Sequence, residues 1–80
     1  MAHSCPDAVR VIPLSGLKVR VFFADGEVKE CDLSGLGGVF MKLRDREIFK
    51  KVHAESGAIV WSEDLDLAPE YIYEHGESIK

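Results

Sequence analysis

The sequence has no run of about 18 apolar residues and no positively charged start leading into an apolar stretch, so neither a membrane span nor a signal peptide is expected. Cysteine is scarce: Cys5 and Cys31 are too few and too far apart for a disulfide framework. Two thiols in a chain without an export signal point to a reducing, cytosolic setting. Zinc-type side chains occur at His3, Cys5, Cys31, His53 and His75, but none has the close paired spacing of a structural zinc site. Cations are in the minority, 10 Lys and Arg against 14 Asp and Glu for a net charge of −4, which argues against a general nucleic-acid binder.

Catalytic patterns are missing too. The glycine-rich stretch SGLGG, Ser34 to Gly38, is followed by no Lys-Ser/Thr pair and opens no long helix, so it lacks the phosphate-cradling signature. It reads as an irregular loop that needs positive φ at Gly35, Gly37 or Gly38. Ser34 and Cys31 have no histidine within a few residues to serve as a base. The acids Glu63, Asp64 and Asp66 lack the ligand pattern of a calcium loop. They read instead as charge ahead of a helix N-terminus, with Asp66 as its cap. A chain of 80 residues also leaves little volume for a closed pocket beside its core. The expectation is a protein that is not an enzyme and holds no cofactor and no metal.

What is present is the pattern of one small domain spanning 1–80, without repeats or linkers, with mobile ends at about 1–7 and 76–80. The run from Val9 to Leu14 suggests a first strand, with Pro13 at an edge or just outside the sheet. Leu17 to Phe23 alternates: Leu17, Val19, Val21 and Phe23 face one way, Lys18, Arg20 and Phe22 the other. The register of the return strand follows from charge. A two-residue loop over Asp25-Gly26 sets Val21 against Glu30 and Val19 against Asp32. A three-residue loop, Ala24-Asp25-Gly26 with Gly26 left-handed, instead pairs Arg20 with Glu30, Lys18 with Asp32, Phe22 with Val28, and Val19 with Cys31. Each matched pair is worth about 0.2–1 kcal/mol, so the three-residue loop is expected.

Farther on, Asp45 is a good N-cap for a helix from Arg46 to Val52, with an apolar stripe at Ile48, Phe49 and Val52. HAESGAIVW reads as strand, turn at Ser56-Gly57, and strand to Trp61. Pro69 suits the first turn of a last helix that presents Tyr71, Ile72 and Tyr73 and stops at Gly76. The order β-β-β-α-β-β-α gives an α+β fold, a small antiparallel sheet with two short helices.

An ordered set of residues resembles a small bacterial family, the domain of unknown function numbered 2442. It comprises Val21-Phe22-Phe23 before Asp25-Gly26, Asp32-Leu33, Leu36, Val39-Phe40, Leu43, Asp45, Phe49 and Val52. It closes with Ile59-Val60-Trp61, Asp66-Leu67 and Pro69-Glu70. The likeness runs from about Val9 to Tyr73. Ser62-Glu63-Asp64 stands where many members read Trp-Pro-Asn-Gly, so the turn geometry of relatives does not carry over. The resemblance implies an α+β fold with no established activity and no catalytic residues. It further implies a stand-alone small protein or an appendage of a helix-turn-helix regulator, some members lying beside small toxin-like proteins in the manner of an antitoxin.

Charge along the chain is uneven. Nine Lys/Arg and seven Asp/Glu precede Glu55; from Glu55 on there are seven Asp/Glu and one Lys. An acidic end suits docking on a basic protein, charge giving orientation and on-rate. The expected partner-binding residues are Trp61, Glu63, Asp64, Asp66, Tyr71 and Tyr73. Trp61 has two readings, a core tryptophan closing one end of the sheet or an interface anchor. The alternative surface is a basic patch of Lys42, Arg44, Arg46, Lys50 and Lys51, which would contact phosphates in a nucleic-acid-associated accessory domain. Self-association is compatible with either surface.

Overall fold

The structure, a computed structural model, describes residues 5–79. His3 and the first residues of the expected mobile start lie outside the described residues. The chain folds as α+β with antiparallel pairing throughout, but into two sheets instead of one. Strands β1 (Ala8–Pro13), β2 (Lys18–Phe23), β3 (Val28–Asp32) and the terminal β7 (Glu77–Ser78) form a four-stranded sheet in the order β1-β2-β3-β7. Strands β4 (His53–Glu55), β5 (Ala58–Ser62) and β6 (Leu65–Leu67) form a three-stranded sheet in chain order. The sheets meet where the Ala8 N–H donates to Gly57 O at 3.0 Å.

The β2–β3 hairpin takes the register that charge matching dictates. Lys18 lies opposite Asp32, Arg20 opposite Glu30 and Phe22 opposite Val28, with Gly26 at φ 93°. The Arg20 guanidinium reaches Glu30 at 2.6 Å. On the other face Val19 and Val21 are fully buried. Pro13 ends the outermost strand, where its missing N–H costs no ladder bond. The β4–β5 connection is a two-residue turn with Ser56 at φ 52° and Gly57 at φ 82°, a primed turn whose twist matches its strands.

Between the sheets lie the helical pieces. The SGLGG loop has Gly38 at φ 62°, the left-handed position expected there, and leads into a 3₁₀ segment, Gly38–Arg44. The Asp45 side chain then accepts from Glu47 N and starts α1 (Arg46–Phe49), which closes by turns to Val52. The helix is shorter than the expected span, yet its stripe holds: Phe49 is fully buried and Val52 nearly so. Phe49 and Leu43 join residues of both sheets, among them Val21, Cys31, Ile59 and Leu65, in one core.

Two expectations near the end are corrected. Asp66 does not cap the last helix. It lies in β6 opposite Val60, and α2 (Pro69–His75) begins at Ala68 without a side-chain cap. Nor does the chain trail off after Gly76: Glu77 pairs with Glu30, Ser78 with Lys29, and Ile79 N donates to Val28 O. Gly76 stops α2 as expected, but at φ −77°, so left-handed backbone is not the reason for glycine. The reason is close approach. A Cβ there would stand 2.7 Å from Ile72 O and 3.1 Å from Glu30 O. Gly76→Ala is therefore expected to cost about 1–3 kcal/mol, as overpacking does, read as a lowered urea midpoint with unchanged slope. Stability equal to the parent's would contradict this joint.

Candidate protein-binding face

The outward face of the three-stranded sheet is built by alternation. Ile59, Trp61, Leu65 and Leu67 turn into the core, so Ala58, Val60 and Ser62 of β5 turn outward. Pairing then sets His53 and Asp66 on either side of Val60, and Glu55 beside Ala58. With Ser56 and Glu63 these residues line an open depression of about 450 Å³. Its floor is small and apolar, Ala58 and Val60. Three exposed carboxylates, Glu55, Glu63 and Asp66, stand around it with one imidazole.

The imidazole belongs to His53, whose Nδ1 lies 3.0 Å from Lys51 O and Nε2 2.9 Å from a Glu55 carboxylate oxygen. Both partners are acceptors, so the ring satisfies them together only by carrying both protons. The Lys51 carbonyl first, and the Glu55 carboxylate second, hold its pKa above the ordinary 6.5. The sign follows. This contact supports the fold fully below the unfolded pKa, and its contribution is lost as pH rises through the raised folded value. Glu55→Gln is expected to lower the His53 titration midpoint followed by NMR; an unchanged midpoint would contradict the contact.

At the rim, Glu63 and Asp64 form the β5–β6 turn. Neither takes positive φ, and the pairing shifts register between Val60 and Ser62. The Ser62 hydroxyl donates to Asp64 at 3.0 Å. That bond first, and the charge of Lys42 further, hold the Asp64 carboxyl below the usual carboxylate range.

The expected partner-binding residues are thus divided. Glu63 and Asp66 line the depression, and Asp64 stands next to Glu63 in the β5–β6 turn. Trp61 lies beneath it, 2% exposed, with its ring edge-on to Phe40 at 6.3 Å and its Nε1 without a hydrogen-bond partner. It is a core residue, and the anchor reading falls with its burial. Tyr71 and Tyr73 face the other sheet. Tyr73 donates to Asp25 at 2.6 Å and meets the Phe23 ring edge-on, and the Asp25 bond is the first cause of a phenol pKa pushed up to about 12. Tyr71 stacks on His75 at 4.5 Å and borders a second depression of about 280 Å³ of mixed charge, with Lys18, Glu30, Asp32 and Cys31. Burial pushes the Cys31 thiol up and keeps it inert.

All five residues of the basic set are exposed, and three of them also contact their own chain. Arg44 donates to Ser34 O, Arg46 donates to Gly16 O and lies over the Phe49 ring, and Lys50 pairs with Glu47 at 3.2 Å. Sequence reasoning missed His53, Glu55, Ala58, Val60 and Ser62 as one surface. The alternation in AIVWS carried the signal, with apolar Ile59 and Trp61 fixing which neighbours face out.

Among the described residues no helix is long and apolar enough to cross a membrane, and no group of three or more His, Cys, Asp or Glu side chains is set to hold a metal. No curated protein and no solved structure matches the chain. Residues 8–78 match the family described as "Protein of unknown function (DUF2442)", nearly the whole chain, and the protein belongs to that family.

Proposed function

We propose that this protein is a small protein-interaction module whose acidic sheet face takes a basic protein, in the manner of the neutralising partner of a small toxin. One observation carries the reading: a depression of about 450 Å³ in which Glu55, Glu63 and Asp66 surround an apolar floor. Lys and Arg side chains fit such a site with their stems on Ala58 and Val60 and their charges at the rim. A nuclease-type toxin must be basic to hold RNA, and an acidic surface competes for that face. The net charge of −4 supports the same direction. In this reading the protein works in the cytosol without cofactor or metal, and it is not an enzyme. Both nitrogens of His53 are committed to Lys51 O and Glu55, and the Ser62 hydroxyl is committed to Asp64.

Paired titrations test it against the nucleic-acid reading. A Lys/Arg-rich peptide is expected to bind at low salt and weaken as salt rises, while duplex DNA and RNA do not bind. Micromolar binding to a duplex, abolished by Arg46→Glu, would overturn the proposal in favour of a phosphate-contacting patch at Lys42, Arg44, Arg46, Lys50 and Lys51.

A further inference from the structure

The outward face of the four-stranded sheet carries charge of both signs, sorted by strand. Val19, Val21 and Phe23 of β2 turn into the core, so Lys18, Arg20 and Phe22 turn away from it. Pairing brings the residues opposite them to the same side. One row across the sheet is Arg10, Phe22 and Val28, continued by Ile79, whose N–H donates to Val28 O. The next is Ile12, Arg20, Glu30 and Glu77, and Lys18 with Asp32 makes a third. Phe22 and Val28 are half-buried by their neighbours yet stand outside the core, and Ile79 is exposed. The cations Arg10, Lys18 and Arg20 thus come from β1 and β2, the anions Glu30, Asp32 and Glu77 from β3 and β7. Phe22 and Val28 meet at the boundary between them.

A face divided in this way complements a copy of itself. Two copies can meet face to face about a two-fold axis that runs either across the strands or along them. Across the strands, β2 lies on β2 and β3 on β3, and like charges meet. Along the strands, with the axis between β2 and β3, β2 of one copy lies over β3 of the other. Lys18 then stands over Asp32, Arg20 over Glu30 and Phe22 over Val28, each contact made twice. The strands of the two sheets run in nearly the same direction, as in aligned sandwich packing. Arg20 has donors for a second carboxylate, because its Nε and Nη2 both go to a single Glu30 oxygen and its other N–H groups remain.

We infer that this face joins two copies of the chain, β2 of each lying on β3 of the other. None of its residues lines the depression on β4–β6, so the inference stands apart from what that depression binds. Four strands at about 4.8 Å spacing make a face of roughly 20 by 20 Å, about half the 800 Å² that a stable interface takes from each partner. The dimer is therefore weak and reversible, with a Kd on the order of 100 μM.

An NMR dilution series of the intact chain, from about 20 μM to about 1 mM at low salt, tests it beside sedimentation equilibrium over the same range. Shifts are expected to move with concentration at Arg20, Phe22, Val28 and Glu30 while the mean mass rises toward that of a dimer, and added salt is expected to reverse both. Lys18→Asp and Asp32→Lys each set like charges against each other twice, and each is expected to weaken self-association by about tenfold. Mixed in equal amounts, the two variants are expected to associate as tightly as the parent, because each meets the opposite sign in the other. Both positions are exposed, and a urea midpoint shows that each variant is folded. Where a variant loses its fold, the shifts of the parent alone decide. A parent that stays monomeric to about 1 mM would overturn the dimer. So would concentration-dependent shifts centred away from β2 and β3, or a mixture of folded variants that associates no better than either alone.

Discussion

Phe49→Ala is expected to leave little folded protein at physiological temperature. Phe49 is fully buried in the one core that residues of α1 and both sheets share. Truncating such a side chain costs about 3–5 kcal/mol, whereas domains carry roughly 0.05–0.15 kcal/mol of stability per residue. For 80 residues the loss takes a large share of the total. A urea titration followed by the fluorescence of Trp61, the single tryptophan, reads the effect directly. Phe49→Leu, which keeps most of the volume, is expected to retain a cooperative transition. A Phe49→Ala midpoint near the parent's would mean that the helical layer does not join the two sheets into one core.

The second large effect concerns binding. Glu55→Lys, Glu63→Lys and Asp66→Lys together are expected to weaken binding of a Lys/Arg-rich peptide by about 100-fold, since three attractions become three repulsions in one depression. All three residues are exposed, so beyond loss of the exposed Glu55–His53 contact the fold should change little, surface substitutions elsewhere lying within about 0.5 kcal/mol each. Fluorescence anisotropy of a labelled peptide, with the urea midpoint measured beside it, separates lost binding from lost fold. A change of less than about threefold at low salt would place the peptide elsewhere.

The parts legible in the sequence are those decided by neighbours along the chain. The β2–β3 register follows from Arg20, Glu30, Lys18 and Asp32 being able to pair in only one of two loops, and Gly26 takes the φ that this loop requires. Asp45 starts a helix because its carboxylate meets an N–H two residues on. Illegible parts depend on distant partners. β6 has three residues and β7 two, too short for alternation to register, and each exists because a longer strand offers it a ladder. Asp66, read locally, stands in front of a helix and resembles a cap; only its pairing with Val60 puts it on the sheet. For the same reason Glu63, Asp64 and Asp66 were identifiable as an acidic group but not as a surface. Their companions His53 and Glu55 come from another strand. Trp61 shows the opposite limit: residue type suggested contact with a partner, whereas burial assigns it to the core, and the half-buried Tyr71 and Tyr73 lie by the other sheet.

The central claim is that a basic partner lands on the outward face of β4–β5–β6. NMR mapping tests it residue by residue, by titrating a Lys/Arg-rich peptide into isotope-labelled protein. The account predicts shifts concentrated at His53, Glu55, Ala58, Val60, Ser62, Glu63 and Asp66, fading as salt is added. Shifts centred on Tyr71 and Tyr73, or scattered with no focus on that sheet, would contradict it.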